Sequence, residues 1–87
     1  MIRKNIVLGI AEGIQPQTAT RFVQEASQFN STIWIEQGSK RVNAKSLMGV
    51  LSMRIKAGDE FQLVAQGEDE RQAISALMSL VKDRLKA

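Results

Sequence analysis

The chemistry open to this chain is narrow, because its 87 residues include neither histidine nor cysteine. Without an imidazole it lacks the usual general base, the usual metal ligand and any phosphohistidine intermediate. Without a thiol it lacks a cysteine nucleophile, a zinc cluster and a disulfide. A serine–lysine dyad from the adjacent Ser46 and Lys45 cannot be assembled, since neighbours at a helix start point apart. Glu68-Asp69-Glu70 is a close carboxylate cluster, but it reads as the acid preference of a helix N-terminus rather than as a cation site. Gly9 and Gly13 do not complete a G-x-G-x-x-G dinucleotide fingerprint. Neither catalysis nor a cofactor or metal is expected.

The chemistry that remains gathers at Ser46. From Gln37 to Gly58 there are five cations, Lys40, Arg41, Lys45, Arg54 and Lys56, and no anion, so a basic environment is expected around this serine. The segment after it, Leu47-Met48-Gly49-Val50-Leu51-Ser52-Met53, suits a helix of one to two turns capped by the Ser46 hydroxyl. Capping alone would carry little information. Among cations, and beside Leu47, Met48 and Leu51, the hydroxyl offers a phosphate a favourable seat at the edge of an apolar docking patch. Apolar side chains on so short a helix cannot all face inward, so some should be exposed.

Around this segment the sequence predicts the elements that must position it. Lys4–Leu8 reads as a strand, followed by the loop Gly9-Ile10-Ala11-Glu12-Gly13. Pro16 suits the first position of a helix and forces Gln15 into the extended conformation of an N-cap. Ala19, Phe22, Val23, Ala26 and Phe29 form an apolar stripe for a helix from about Pro16 to Ser27. Thr32–Glu36 alternates, with Trp34 opposite Ile33 and Ile35, and Gly38-Ser39 turns it into a hairpin with Lys40–Asn43. Glu60–Gln66 is a further strand, with Phe61, Leu63 and Ala65 sharing a face. A last helix begins near Asp69, with Ile74, Leu77, Met78, Val81 and Leu85 as its stripe and Lys82, Arg84 and Lys86 in its last turn. The order is β-α-β-β-α-β-α, an α+β open-faced sandwich with antiparallel strands and helices on one face.

Composition agrees with one small globular domain over residues 1–87, at 44% apolar and 24% charged. With no covalent staple, such a domain depends wholly on its core. The net charge of +3, from 12 basic and 9 acidic residues, is a weak nucleic-acid signal, because Trp34, Phe22, Phe29 and Phe61 are the only aromatics. No apolar stretch approaches the roughly 18 residues of a membrane span, and Met1-Ile2-Arg3-Lys4-Asn5 lacks the apolar segment of a signal peptide. A soluble, cytoplasmic protein without membrane partners is expected. The loop bearing Gly9 and Gly13 would let the first strand open and exchange with a second copy, giving a strand-swapped homodimer.

Val42-Asn43-Ala44-Lys45-Ser46-Leu47-Met48-Gly49, with Gly13-Ile14, Phe22-Val23, Ala26 and Gly67-Glu68-Asp69-Glu70 before an amphipathic helix, resembles the HPr phosphocarrier family of the bacterial sugar phosphotransferase system. The resemblance covers the whole chain and implies the fold just given. Family phosphocarriers open the first helix with a run of histidine, alanine, arginine and proline. Here the run is Gln15-Pro16-Gln17-Thr18. Gln15 stands where the phosphoryl-accepting histidine would be, and an amide has no basic nitrogen with which to attack. Gln17 replaces the arginine, so the charge support is lost as well. The family's second, regulatory phosphorylation site matches Ser46. The chain is similar in this respect to the Crh-type, catabolite-repression branch, which has glutamine for histidine and keeps the serine. That resemblance implies HPr kinase/phosphorylase as one partner. It implies a LacI-type catabolite control protein as another, with the phosphorylated form acting as corepressor and meeting DNA only through the repressor. Thr20, Arg21, Leu47, Met48 and Leu51 would dock. Crh-type proteins usually keep the arginine and proline that Gln17 and Thr18 replace here. The competing expectation is a small basic α+β module that binds nucleic acid or another protein without phosphorylation.

Overall fold

The computed structural model describes residues 1–82, arranged as β1 (Ile2–Val7), α1 (Pro16–Ala26), β2 (Thr32–Gln37), β3 (Lys40–Asn43), α2 (Leu47–Ser52), β4 (Glu60–Gln66) and α3 (Glu70–Lys82). The four strands form one sheet in the order β1-β4-β2-β3, and every pairing is antiparallel. The last-turn and stripe positions expected at Arg84, Leu85 and Lys86 lie outside the described residues, as does the side chain of Lys82.

Period-two alternation divides the sheet into two unlike faces. Ile6, Ile33, Ile35, Phe61, Leu63 and Ala65 are buried on one of them, against Ala19, Phe22 and Ala26 of α1 and Ala73, Ile74, Leu77 and Val81 of α3. Val50 of α2, with Met53 and Ile55 just beyond it, closes the end of the same core. The opposite face is open to solvent. There the register aligns Arg3, Val64, Trp34 and Asn43 across the four strands. Trp34 is half-buried, with the Arg41 guanidinium 4.0 Å from its ring centroid, a cation–π contact.

Element ends depart slightly from the sequence pattern. β1 begins at Ile2, because Ile2 pairs with Ala65, and it stops at Val7. Leu8 leaves the ladder but stays buried, its N–H donating to the Asp59 carbonyl. α1 ends at Ala26, Ser27 is its C-cap, and Phe29 packs on the core from the turn beyond.

The acids at the start of α3 do more than complement a helix dipole. Both oxygens of Asp69 are taken by the chain after α1: the Asn30 N–H donates to one at 2.8 Å, and the Ser31 N–H and hydroxyl donate to the other. Among the described residues Ser31 is the one buried polar residue, at 1% exposure, and Asp69 satisfies it. Glu70 folds back to accept from the Gly67 N–H at 3.0 Å and pairs with the Met1 ammonium at 3.2 Å. Gly67 has φ +154°, and a Cβ there would lie 2.7 Å from Ser31 Cα, so only glycine lets the end of β4 pass this close. The Ser31 hydroxyl, then the Asn30 amide, hold the Asp69 carboxyl below its ordinary range, and the Gly67 amide and the Met1 ammonium do the same for Glu70.

These depressed carboxyls give the fold an acid limit. Their contribution is present above the ordinary carboxylate range, about pH 4, and is lost as pH falls through the lower folded-state values. Urea midpoints measured between neutral pH and pH 3 should therefore fall on the acid side. Asp69→Asn should lower the neutral midpoint and flatten the acid slope. Gly67→Ala should be destabilising at every pH, because backbone must move.

Candidate functional site

The turn between β3 and α2 is built by local hydrogen bonds. The Asn43 side-chain oxygen accepts from the Lys45 N–H at 2.8 Å, and the Asn43 carbonyl accepts from the Ser46 N–H at 3.0 Å. Ala44 is fully buried, its N–H bound to the Ile33 carbonyl. The chain then enters α2 with Ser46 at an extended φ of −108° and ψ of 114°, its hydroxyl accepting from the Gly49 N–H at 3.1 Å. This is the N-cap expected from the sequence. The bond uses a lone pair of the oxygen and leaves its O–H free to point elsewhere.

Gly49 allows the approach. Its φ is not in the left-handed region, so its backbone does not require glycine, yet a Cβ there would lie 3.2 Å from Val42 Cβ and 3.3 Å from the Ser46 oxygen. A glycine inside a helix costs about 1 kcal/mol relative to alanine; here it leaves room beside the hydroxyl. α2 turns only one side inward, where Val50 is buried. Met48 is 77% exposed and Leu47 39%, whereas Leu51 is half-buried against the core edge. Residue Arg54, at φ 53°, ends the segment in the left-handed region.

The cations do not crowd around Ser46 as their sequence density suggests. The Lys45 ammonium donates to the Phe29 carbonyl at 2.7 Å, and that of Lys40 donates to the Ser52 carbonyl at the far end of α2, at 2.6 Å. Arg41 belongs to the open sheet face, paired with Glu36 and stacked on Trp34. Lys40, Arg41 and Lys45 thus each find a fixed acceptor or a ring, so these three cations of the basic run are dispersed over three places.

α1 packs against α2, and its Thr20 and Arg21 are both exposed. The Thr20 hydroxyl donates to the Pro16 carbonyl at 2.9 Å. Arg21 also joins Gln17, Thr18 and Leu80 around a shallow groove between α1 and α3. The start of α1 is fixed to the segment after α2 by the Ile14 N–H, which donates to the Ile55 carbonyl at 3.0 Å. Gln15 is the α1 N-cap, at φ −95° and ψ 167°, but its side chain does not cap the helix. Its amide nitrogen instead donates to the Glu12 carbonyl at 2.8 Å. An amide held this way closes the preceding loop and presents no nucleophile. Among the described residues no group of three or more acidic side chains could hold a metal ion, and no helix is long and apolar enough to cross a membrane.

Sequence reasoning did not find the polar contacts of Arg3, Glu36 and Gln62 on the open face, or the tie between Ser31 and Asp69. The first was readable in part, because a hairpin turning at Gly38-Ser39 sets Glu36 opposite Arg41.

The family model for the PTS HPr component phosphorylation site matches residues 2–83. The chain is 39% identical to HPr-like protein Crh of Bacillus subtilis over 85 residues, which cover 98% of this chain and 100% of that protein. It superposes on HPr-C-His from Thermoanaerobacter tengcongensis with a TM-score of 0.93, at 39% identity over 100% of this chain and 98% of the other. It also matches a crystal structure of Bacillus subtilis Crh, described as a domain-swapped dimer, with a TM-score of 0.78 and 40% identity over 95% of each chain.

The geometry makes one prediction about the cap itself. Ser46→Ala should cost about 1 kcal/mol of unfolding free energy, read from urea denaturation, whereas Ser46→Asp, which can still accept from the Gly49 N–H, should retain most of it.

Proposed function

This chain belongs to the PTS HPr family, and on that premise we propose that it is a regulatory member, switched by phosphorylation of Ser46, and not a histidine phosphocarrier. HPr kinase/phosphorylase would modify Ser46. The modified protein would then bind a LacI-type catabolite control protein as corepressor, reaching DNA only through it. The observation that carries this reading is the pairing of a capping Ser46 hydroxyl with an exposed Met48 and Leu47 on the same short helix, while Gln15 occupies the position where the family's phosphocarriers have histidine. The likeness to proteins named Crh supports it.

The switch works by added charge. A phosphate brings about −1.5 to −2 charges to the start of α2, where the Gly49 N–H already points. The helix is therefore stabilised where it stands, and the fold is unchanged. The dianion can pair with a partner's arginine, while Met48, Leu47 and Leu51 supply apolar contact that Thr20 and Arg21 extend from α1. The likeness to a domain-swapped Crh dimer supports exchange of β1 between two copies of this chain as well.

Incubation with the kinase and ATP should add one phosphate by intact mass, absent in Ser46→Ala. No added phosphate would leave a small basic binding module in its place. The phosphorylated form should bind the catabolite control protein more tightly than the unmodified form, and equal affinities would reduce Ser46 to a helix cap. Met48→Asp should weaken the phosphorylated complex about tenfold or more, because it puts a charge into the apolar contact.

Enzyme I with phosphoenolpyruvate should leave the native chain unlabelled. Gln15→His alone should restore little transfer, and Gln15→His with Gln17→Arg should restore more.

A further inference from the structure

The open face of the sheet carries a network of side chains outside the Ser46 region. Glu36 on β2 lies opposite Arg41 on β3 and Gln62 on β4, and Gln62 lies opposite Asn5 on β1. Arg3, two residues before Asn5 and so on the same face, reaches across β4. Its guanidinium donates to the Gln62 side-chain oxygen at 2.6 Å and to one oxygen of Glu36. The other Glu36 oxygen pairs with Arg41 Nε at 3.3 Å. The Gln62 amide nitrogen, its orientation set by Arg3, donates to the Asn5 side-chain oxygen at 3.0 Å. One carboxylate on an inner strand thus holds a cation from each outer strand.

β1 is an edge strand paired only with β4, and the segment 8–15 separates it from α1. Leaving the sheet would break its ladder to β4, the Met1–Glu70 ion pair and, on the open face, three side-chain bonds: Arg3 to Glu36, Arg3 to Gln62 and Gln62 to Asn5. We propose that this clamp is the latch that sets how fast β1 leaves its own β4 and enters that of a second copy of the chain. The proposal rests on the strand-exchange reading above. In a swapped dimer the partner's β1 remakes the same three bonds, so they contribute equally to monomer and dimer and cancel from the equilibrium between them. They are missing only in the opened species through which exchange passes. The clamp therefore controls the rate of interconversion and leaves the final ratio alone.

The test mixes isotopically labelled with unlabelled protein and follows mixed dimers by native mass spectrometry, alongside hydrogen exchange of the β1 amides in the monomer. Arg3→Ala and Glu36→Gln should exchange strands about two- to tenfold faster, the range set by one or two exposed charged contacts, at an unchanged monomer-to-dimer ratio. Lys4→Ala loses the same charge from the same strand on the opposite sheet face and should keep the wild-type rate. Salt at about 1 M screens the exposed Arg3–Glu36 pair and should quicken the wild type more than Arg3→Ala, in which the Met1–Glu70 pair remains to be screened. Faster opening confined to β1 in Arg3→Ala, with the β2–β3 amides unmoved, separates the latch from a general loss of stability. Wild-type rates in both variants would overturn the proposal. Should no dimer form at any concentration, the strand-exchange reading fails; β1 amide exchange then decides the latch alone, upheld by faster opening in Arg3→Ala and refuted by none.

Discussion

Burial on one side of a four-stranded sheet is the constraint from which the rest follows. The strands must turn Ile6, Ile33, Ile35, Phe61, Leu63 and Ala65 towards α1 and α3, and with no disulfide to assist this single layer of packing holds the chain together. Large apolar groups on that face are worth about 2 to 5 kcal/mol each if truncated. Once α1 and α3 occupy the face, α2 is left at its end, with room to bury Val50 but not Met48. The exposed apolar side chains of α2 are thus a product of geometry: a helix of six residues cannot wrap enough core to hide both sides.

The candidate site inherits its order from the same packing. Ser46 is placed by backbone bonds from Asn43 and by the buried Ala44 beneath it, not by neighbouring charges. That distinction matters for a phosphate switch. Since Lys40 and Lys45 are already engaged with backbone carbonyls and Arg41 with Glu36, a phosphate at Ser46 would meet the helix N–H groups first. Its charge would remain available to an arginine from outside. A fully neutralised phosphate would signal less. Gln15, by contrast, donates its amide to the Glu12 carbonyl, which closes the loop before α1.

Much of this architecture was legible in residue order. The stripe of Ala19, Phe22 and Ala26, the alternation through Ile33 and Ile35, and Phe61, Leu63 and Ala65 in β4 each carry a period that local burial enforces. Ser46 was readable as a cap for the same local reason. What escaped were contacts between residues remote in the chain. Asp69 reaches back to Ser31, and Arg3 to Glu36; neither pair has a periodicity to betray it. The basic run misled because sequence density is one-dimensional. Lys40 and Arg41 are adjacent, yet on a strand adjacent side chains take opposite faces, which sends one towards α2 and the other to the open sheet. Element ends shifted where a pairing partner such as Ala65 extended β1 to Ile2.

Trp34 is the only tryptophan and the chain has no tyrosine, so its absorbance at wavelengths beyond the phenylalanine band, and the emission excited there, come from one indole. That indole lies on the open face under the Arg41 guanidinium, over the row that contains Val64 and Asn43. Arg41 is tied to Glu36, and Asn43 closes the turn leading to Ser46. The molecule therefore carries a built-in optical probe whose surroundings are shared by the sheet's outer face and the entrance to α2. Its emission, excited beyond the phenylalanine band, can be read without a label.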